Sequence, residues 1–111
     1  MIHSSGDAIV AFIHSHLDQE LTLQSLSERF GYHKRTIERY FQHRFRQSTH
    51  QFIKEQRIIH GYRLLITTDD PTKAIAGMVG YKSIQGFNRA FKRYYNIPPE
   101  TFRISYQEEW I

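Results

Sequence analysis

The stretch IAGMVGYKSIQGFNRAFKRYYNIPPETFR, residues 75 to 103, carries the strongest indication of a fold in this chain. It begins as a short apolar helix, turns at Gly80, and continues as a second helix that Ser83 is placed to cap. In this second helix Phe87, Phe91 and Tyr95 recur every four residues, so the three rings share one face and polar side chains occupy the other. A short helix, a glycine turn and a helix with a polar outer face form the helix-turn-helix pattern.

The same pattern occurs once more, nearer the N-terminus, in LSERFGYHKRTIERYFQHRF, residues 26 to 45. Both copies place Gly-Tyr between the two helices, and the second copy has one extra residue after its tyrosine. Aligned on the longer helix, the corresponding pairs are Ile37 with Phe87, Arg39 with Arg89, Phe41 with Phe91, and Phe45 with Tyr95. Any helical hairpin can imitate one copy, so the duplication makes the prediction specific.

Helical periodicity extends over the remainder of the chain. Thr22 is placed to cap one helix and Gly31 to end it, while Asp70 and Pro71 are placed to start another. No strand-like alternation lasts beyond a few residues. We therefore predict an all-α fold of about seven helices. It comprises two helix-turn-helix subdomains, residues 1–48 and 69–111, joined by a long linker helix over residues 49–68.

Composition limits the class of protein. The 111 residues, 40% of them hydrophobic, suffice for one domain or two very small ones with a packed core. No apolar run approaches the roughly 18 residues that span a bilayer. The N-terminus lacks the features of a secretory signal, and the chain contains no cysteine. These features predict a soluble cytoplasmic protein without a disulfide framework, a thiolate metal site or a cofactor.

Charge is distributed unevenly along the chain, whose net value is +4. Residues 1 to 28 contain four acids and no Lys or Arg, whereas residues 29 to 111 contain all 15 Lys and Arg and the other acids. This separation predicts one basic surface that faces a polyanion.

The outer faces of the two longer helices carry side chains that can read DNA bases. The outward positions, spaced i, i+3, i+4 and i+7 in both copies, are Arg35, Glu38, Arg39 and Gln42 in the first and Gln85, Asn88, Arg89 and Lys92 in the second. Arginine can pair with guanine, glutamine and asparagine with adenine, and glutamate with cytosine. Basic and polar residues nearer the ends of these helices are better placed for phosphates: Lys34, Gln42, Arg44, Arg46, Lys82, Lys92 and Arg93.

The aromatic residues of these helices are predicted to be core residues. Single-stranded nucleic acid or RNA would require exposed rings for stacking. Phe41, Phe45, Phe87, Phe91 and Tyr95 instead fall on the face opposite the polar positions.

With these motifs, the sequence resembles the AraC/XylS family of bacterial transcription regulators, and in particular its small stand-alone stress-response and multidrug-response activators. The resemblance is clearest between Leu21 and Arg103. It implies two helix-turn-helix subdomains on one long helix, which enter successive major grooves of duplex DNA as a monomer and activate transcription in contact with RNA polymerase.

Five positions depart from the family pattern. Arg35 and Glu38 of the first reading helix stand where the stand-alone activators have Trp and Gln. Ile84 replaces a glutamine of the second reading helix and is expected to contact a thymine methyl group. His33 stands where a capping serine is usual, which predicts a weaker helix start. Gly61 replaces an alanine in the linker helix, at a cost of about 1 kcal/mol in helix propensity.

A metalloenzyme and a protein-binding adaptor are the two alternative classes of function that the sequence suggests. The seven histidines suggest a metalloenzyme, but His14 and His16 point about 200° apart on a helix, and no HExxH-type spacing occurs. We therefore predict no metal site and no catalytic site. The other class is an adaptor or anti-activator that docks on RNA polymerase or another regulator. Duplex DNA binding with a steep salt dependence distinguishes the regulator from the adaptor.

Overall fold

A computed structural model describes residues 3 to 109 of the chain and shows them to be all-α. The seven helices within these residues are α1 (His3–Ser15), α2 (Leu23–Phe30), α3 (Lys34–Phe45), α4 (Thr49–Thr67), α5 (Thr72–Met78), α6 (Ile84–Tyr95) and α7 (Pro99–Glu109). The prediction of an all-α fold with about seven helices is confirmed. None of these described helices has the length and apolar content that crossing a bilayer requires.

The chain divides into two compact units, one that ends at Gln56 and one that begins at Arg57, so α4 contributes to both. Each unit has its own hydrophobic core. The core of the first consists of Ile9, Ile13, Leu17, Leu26, Ile37, Phe41, Phe52 and Ile53. The core of the second consists of Ile58, Leu65, Ile75, Ala76, Val79, Phe87 and Phe91.

The aromatic residues of α3 and α6 lie where the periodicity predicted. Phe41, Phe87 and Phe91 are fully buried. Phe45 and Tyr95 are half-buried and pack against the two cores. These rings fix the inner faces of α3 and α6, which leaves the polar faces outward.

Local caps set several helix ends, as the sequence predicted. The Thr22 hydroxyl accepts a hydrogen bond from the Ser25 N–H at 3.0 Å, and the Ser25 hydroxyl accepts one from the Thr22 N–H. Gly31 ends α2 with φ of 73°, a conformation that favours glycine. The Ser83 hydroxyl accepts from the Gly86 N–H at 3.1 Å.

Two helix starts differ from expectation, and the cap predicted for the second, α5, is wrong. His33 caps α3 through its ring, because its Nδ1 accepts a hydrogen bond from the Arg35 N–H at 3.1 Å. An imidazole nitrogen thus takes the place of the missing serine hydroxyl. Asp70 does not cap α5. The helix begins one residue later than expected, at Thr72, and the residue before it, Pro71, provides no side-chain cap.

Candidate nucleic-acid interface

In the second unit, α6 is held at both ends and along one side. Ser83 caps its N-terminus, and Asn96 ends it in the left-handed conformation with φ of 66°. Phe87 and Phe91 anchor its inner face in the core. The helix therefore presents its other face to solvent in one fixed orientation.

The outward face of α6 carries the residues that the sequence predicted for it. Gln85, Arg89 and Lys92 are exposed, and Asn88 and Ile84 are half-buried. The basic residues that flank this face, Lys82 in the preceding turn and Arg93 near the helix end, are also exposed. The second unit thus exposes amide, guanidinium and ammonium groups along one side of α6.

In the first unit, α3 is positioned by the same kind of packing. Ile37 and Phe41 are buried beneath it, and Arg46 ends it in the left-handed conformation with φ of 58°. On the outward face, residues 35, 39 and 42 are exposed and residue 38 is half-buried, which repeats the pattern of α6. Of the residues predicted to bind phosphate here, Lys34, Arg44 and Arg46 are also exposed.

A tyrosine beside this face stays uncharged. The Tyr40 hydroxyl donates a hydrogen bond to Asp7 Oδ1 at 3.0 Å. Burial and this bond raise the pKa of Tyr40, while Arg44 acts in the opposite direction. A phenol is protonated at neutral pH already at its ordinary pKa, and the raised pKa of Tyr40 moves its ionisation to still higher pH. Arg44, predicted to bind phosphate, is also a neighbour of this hydroxyl.

Glu38 makes a contact that the sequence did not reveal. Its Oε1 accepts a hydrogen bond from the Thr49 N–H, at the start of α4, at 2.8 Å. Ser48 and Gln51 complete this helix start, because each side chain accepts from the other residue's backbone N–H. The Ser-x-x-Gln capping box is readable in the sequence. The Glu38 contact joins residues eleven positions apart and required the fold to be known.

Arg103 is a second residue whose role was not predicted. It is only 7% exposed. Its guanidinium donates hydrogen bonds to the carbonyls of Leu65, Thr68 and Asp70 at 3.1, 3.1 and 2.5 Å. This buried cation satisfies carbonyls at the C-terminal end of α4 and in the loop that follows it, and so joins α7 to both.

The histidines considered as metal ligands have other contacts. His14 Nε2 lies 2.9 Å from Gln56 Oε1, and His16 stacks on Phe12 with ring centroids 3.9 Å apart. Across the described side chains, no group of three or more His, Asp or Glu could hold a metal ion.

Known proteins similar to this chain include a helix-turn-helix domain family and regulatory proteins. A helix-turn-helix domain family model matches residues 26–105. The multiple antibiotic resistance protein MarA of Salmonella typhimurium is 32% identical over 104 residues, which covers 94% of this chain and 79% of that protein. The regulatory protein SoxS of Escherichia coli is 32% identical over 95 residues, which covers 86% of this chain and 89% of SoxS. These matches agree with a regulatory protein and not with an enzyme.

Solved structures with a similar fold point to the same family as the sequence relatives. The DNA-binding domain of the global transcriptional factor AdpA, solved in complex with a target DNA, matches with a TM-score of 0.88 at 26% identity, and the match covers 94% of both chains. The chain belongs to the AraC/XylS family of helix-turn-helix transcriptional regulators. The predicted resemblance is therefore confirmed.

Proposed function

We propose that this regulator binds a specific double-stranded DNA site by inserting α3 and α6 into two successive major grooves. The observation that carries the proposal is the pair of helices with equivalent packing. Each has buried aromatic residues on its inner face, and exposed arginine and amide groups on its outer face. An α-helix fits the major groove, where each base pair presents a distinct pattern of donors and acceptors. AdpA, similar in fold, was solved with a target DNA.

The side chains divide by the part of DNA that they would contact. The residues proposed to face base edges are Arg35, Arg39, Ile84, Gln85, Asn88 and Arg89, and the sequence alone predicted Glu38 among them. Those proposed to face phosphates are Lys34, Gln42, Arg44, Arg46, Lys82, Lys92 and Arg93. Glu38 is a special case because one of its carboxylate oxygens already accepts from the Thr49 N–H.

The arrangement along the chain follows from the duplication. We propose that residues 1–48 and 69–111 form the two DNA-binding subdomains and that residues 49–68 link them. On the resemblance to the stand-alone activators of the family, the protein binds as a monomer and activates transcription in contact with RNA polymerase.

Selection from a pool of random duplexes tests this function. The purified chain should enrich one motif with two blocks of preferred bases, and its affinity should fall steeply as salt is raised. Binding to RNA polymerase without enrichment of any duplex would contradict the proposal and support an adaptor.

Lys92→Ala tests the assignment of phosphate contacts. Loss of one phosphate contact should weaken binding to all duplexes alike and reduce the slope of log K against log salt by about 1. Lys73→Ala is the matched control, because Lys73 is an exposed lysine outside the proposed set. A loss of affinity confined to one DNA sequence would show that Lys92 reads a base instead.

A further inference from the structure

Glu38 lies on the outward face of α3, yet its carboxylate bonds to the protein itself. The Thr49 N–H that it accepts from is one of the first N–H groups of α4, which have no partner inside the helix. Ser48 caps a different group, the Gln51 N–H. The negative charge of Glu38 is also favourable at this position, because a helix N-terminus carries a partial positive charge. Thr49 is 2% exposed, so the donor is buried, whereas Glu38 is half-buried.

The second unit builds the same junction without this bond. The helices α3 and α6 each have 12 residues, and three residues separate each from the next helix. The alignment of α3 with α6 therefore continues without a gap into the next helix, and it pairs Asn88 with Glu38 and Pro99 with Thr49. Proline has no N–H, so Asn88 has no equivalent donor to accept from. Only the first unit therefore has both partners of this bond, the Thr49 N–H and the Glu38 carboxylate.

We propose that Glu38 is a positioning residue that fixes α3 against the N-terminus of α4 and reads no base itself. The inference rests on the proposed function and deepens it. The second carboxylate oxygen can still accept a hydrogen bond, but to reach a cytosine amino group it would have to extend from a side chain that is bonded to the start of α4, and it would approach the DNA phosphates as an anion. Held at the helix start, it fixes the turn of α3 from which Arg35 and Arg39 extend.

Two variants of equal charge test the role. Glu38→Gln and Glu38→Ala both remove the negative charge, but only the glutamine can still accept from Thr49. We expect the alanine variant to bind the selected duplex about tenfold more weakly than the glutamine variant. In the selected motif of the Glu38→Ala variant, base preference should weaken in the block that Arg39→Ala also affects. Base preference in the other block should not change. Glu38→Gln should retain the wild-type motif.

The outcomes separate three roles for this residue. A new preference for adenine in Glu38→Gln would show that residue 38 reads a base and would overturn the proposal. An unchanged motif in Glu38→Ala, measured at a temperature at which the variant is folded, would leave only a structural role and would also overturn it. If the wild-type chain enriches no motif, the proposed function fails and the positioning role fails with it.

A double-mutant cycle tests the contact without DNA. Thr49→Pro removes the donor and copies Pro99, and proline is well tolerated at the first position of a helix. Glu38→Ala should lower the thermal-unfolding midpoint of the full chain by about 5 °C, and by much less when Thr49→Pro is already present. Equal shifts in both backgrounds would show that the hydrogen bond contributes nothing and would overturn the proposal.

Discussion

The two units of this regulator hold the helix that follows α3 or α6 with different chemistry. In the first, a carboxylate on α3 accepts from the backbone at the start of α4. In the second, the corresponding helix begins with Pro99 and is anchored by Arg103, which donates to three backbone carbonyls. The residue that corresponds to Arg103 in the first unit is Ile53, a core residue. The same position of the repeat is therefore an apolar core residue in the first unit and a buried cation in the second, where three backbone carbonyls are its partners.

In both units, in contrast, an aromatic ring packs closely against a glycine of a neighbouring helix. A side chain at Gly6 in α1 would collide with the ring of Tyr40. A Cβ at Gly61 in α4 would lie 2.7 Å from a ring carbon of Phe87. Tyr40 and Phe87 are not equivalent in the repeat, so the ring that packs on the glycine occupies a different position in each unit. The glycine in α4, which lowers helix propensity, is explained by this approach.

Arg103→Leu should have the largest effect on stability. It leaves up to three carbonyls without their charged donor, at a cost of about 3 kcal/mol or more in the free energy of unfolding. Urea denaturation of the full chain measures this cost. Arg63→Leu is the control, because Arg63 is exposed on α4 and its loss should change stability by less than about 0.5 kcal/mol. Equal effects of the two variants would contradict the anchoring role of Arg103.

Gly61→Ala should have the next largest effect. The new methyl group forces the fully buried ring of Phe87 to move, at a cost of about 1–3 kcal/mol that outweighs the gain in helix propensity. Gly77→Ala is the matched control, since a Cβ there meets nothing within 4 Å. That variant should be as stable as the wild type or up to about 1 kcal/mol more stable. A stabilised Gly61→Ala protein would refute the close approach.

Tyr81→Phe should have the smallest effect, and its sign should be positive. The Tyr81 hydroxyl is buried and has no hydrogen-bond partner among the described residues. Its removal should raise the free energy of unfolding at pH 7 by about 0.5–1 kcal/mol. Urea denaturation at pH 7 measures the gain, and a loss of stability would show that the hydroxyl has a partner in solution.

The same variant should change the dependence of stability on pH. Burial raises the pKa of Tyr81 above its ordinary value of 10.0, although Arg57 acts in the opposite direction. As pH rises past 10, the unfolded chain ionises first, so the folded state loses stability. Tyr81→Phe removes this contribution, and the gain over wild type should grow between pH 9 and 11. A constant gain would contradict the raised pKa.

Much of the fold could be predicted because its determinants are local. The caps at Thr22, Gly31 and Ser83 act on residues within a few positions, and four-residue spacing alone placed Phe87 and Phe91 in the core. The duplication then identified the two outward faces, whose residues are exposed or half-buried in both units.

The remainder depended on contacts between distant residues. Nothing near Glu38 in the sequence indicates that Thr49 will supply it with a donor, and nothing near Gly61 indicates the ring of Phe87. The cap at His33 was missed for a different reason. Histidine is a rare cap, and its Nδ1 accepts only in one tautomer.

Site selection with Arg39→Ala and Arg89→Ala tests the central claim most directly, because the two arginines are equivalent in the repeat and exposed in both units. The wild-type motif should contain two blocks of preferred bases about one helical turn apart. Each variant should lose about 1–3 kcal/mol of binding free energy on the wild-type site. Arg39→Ala should relax preference in one block only, and Arg89→Ala in the other. Loss of preference in the same block for both variants, or an unchanged motif in either, would contradict two separate reading helices.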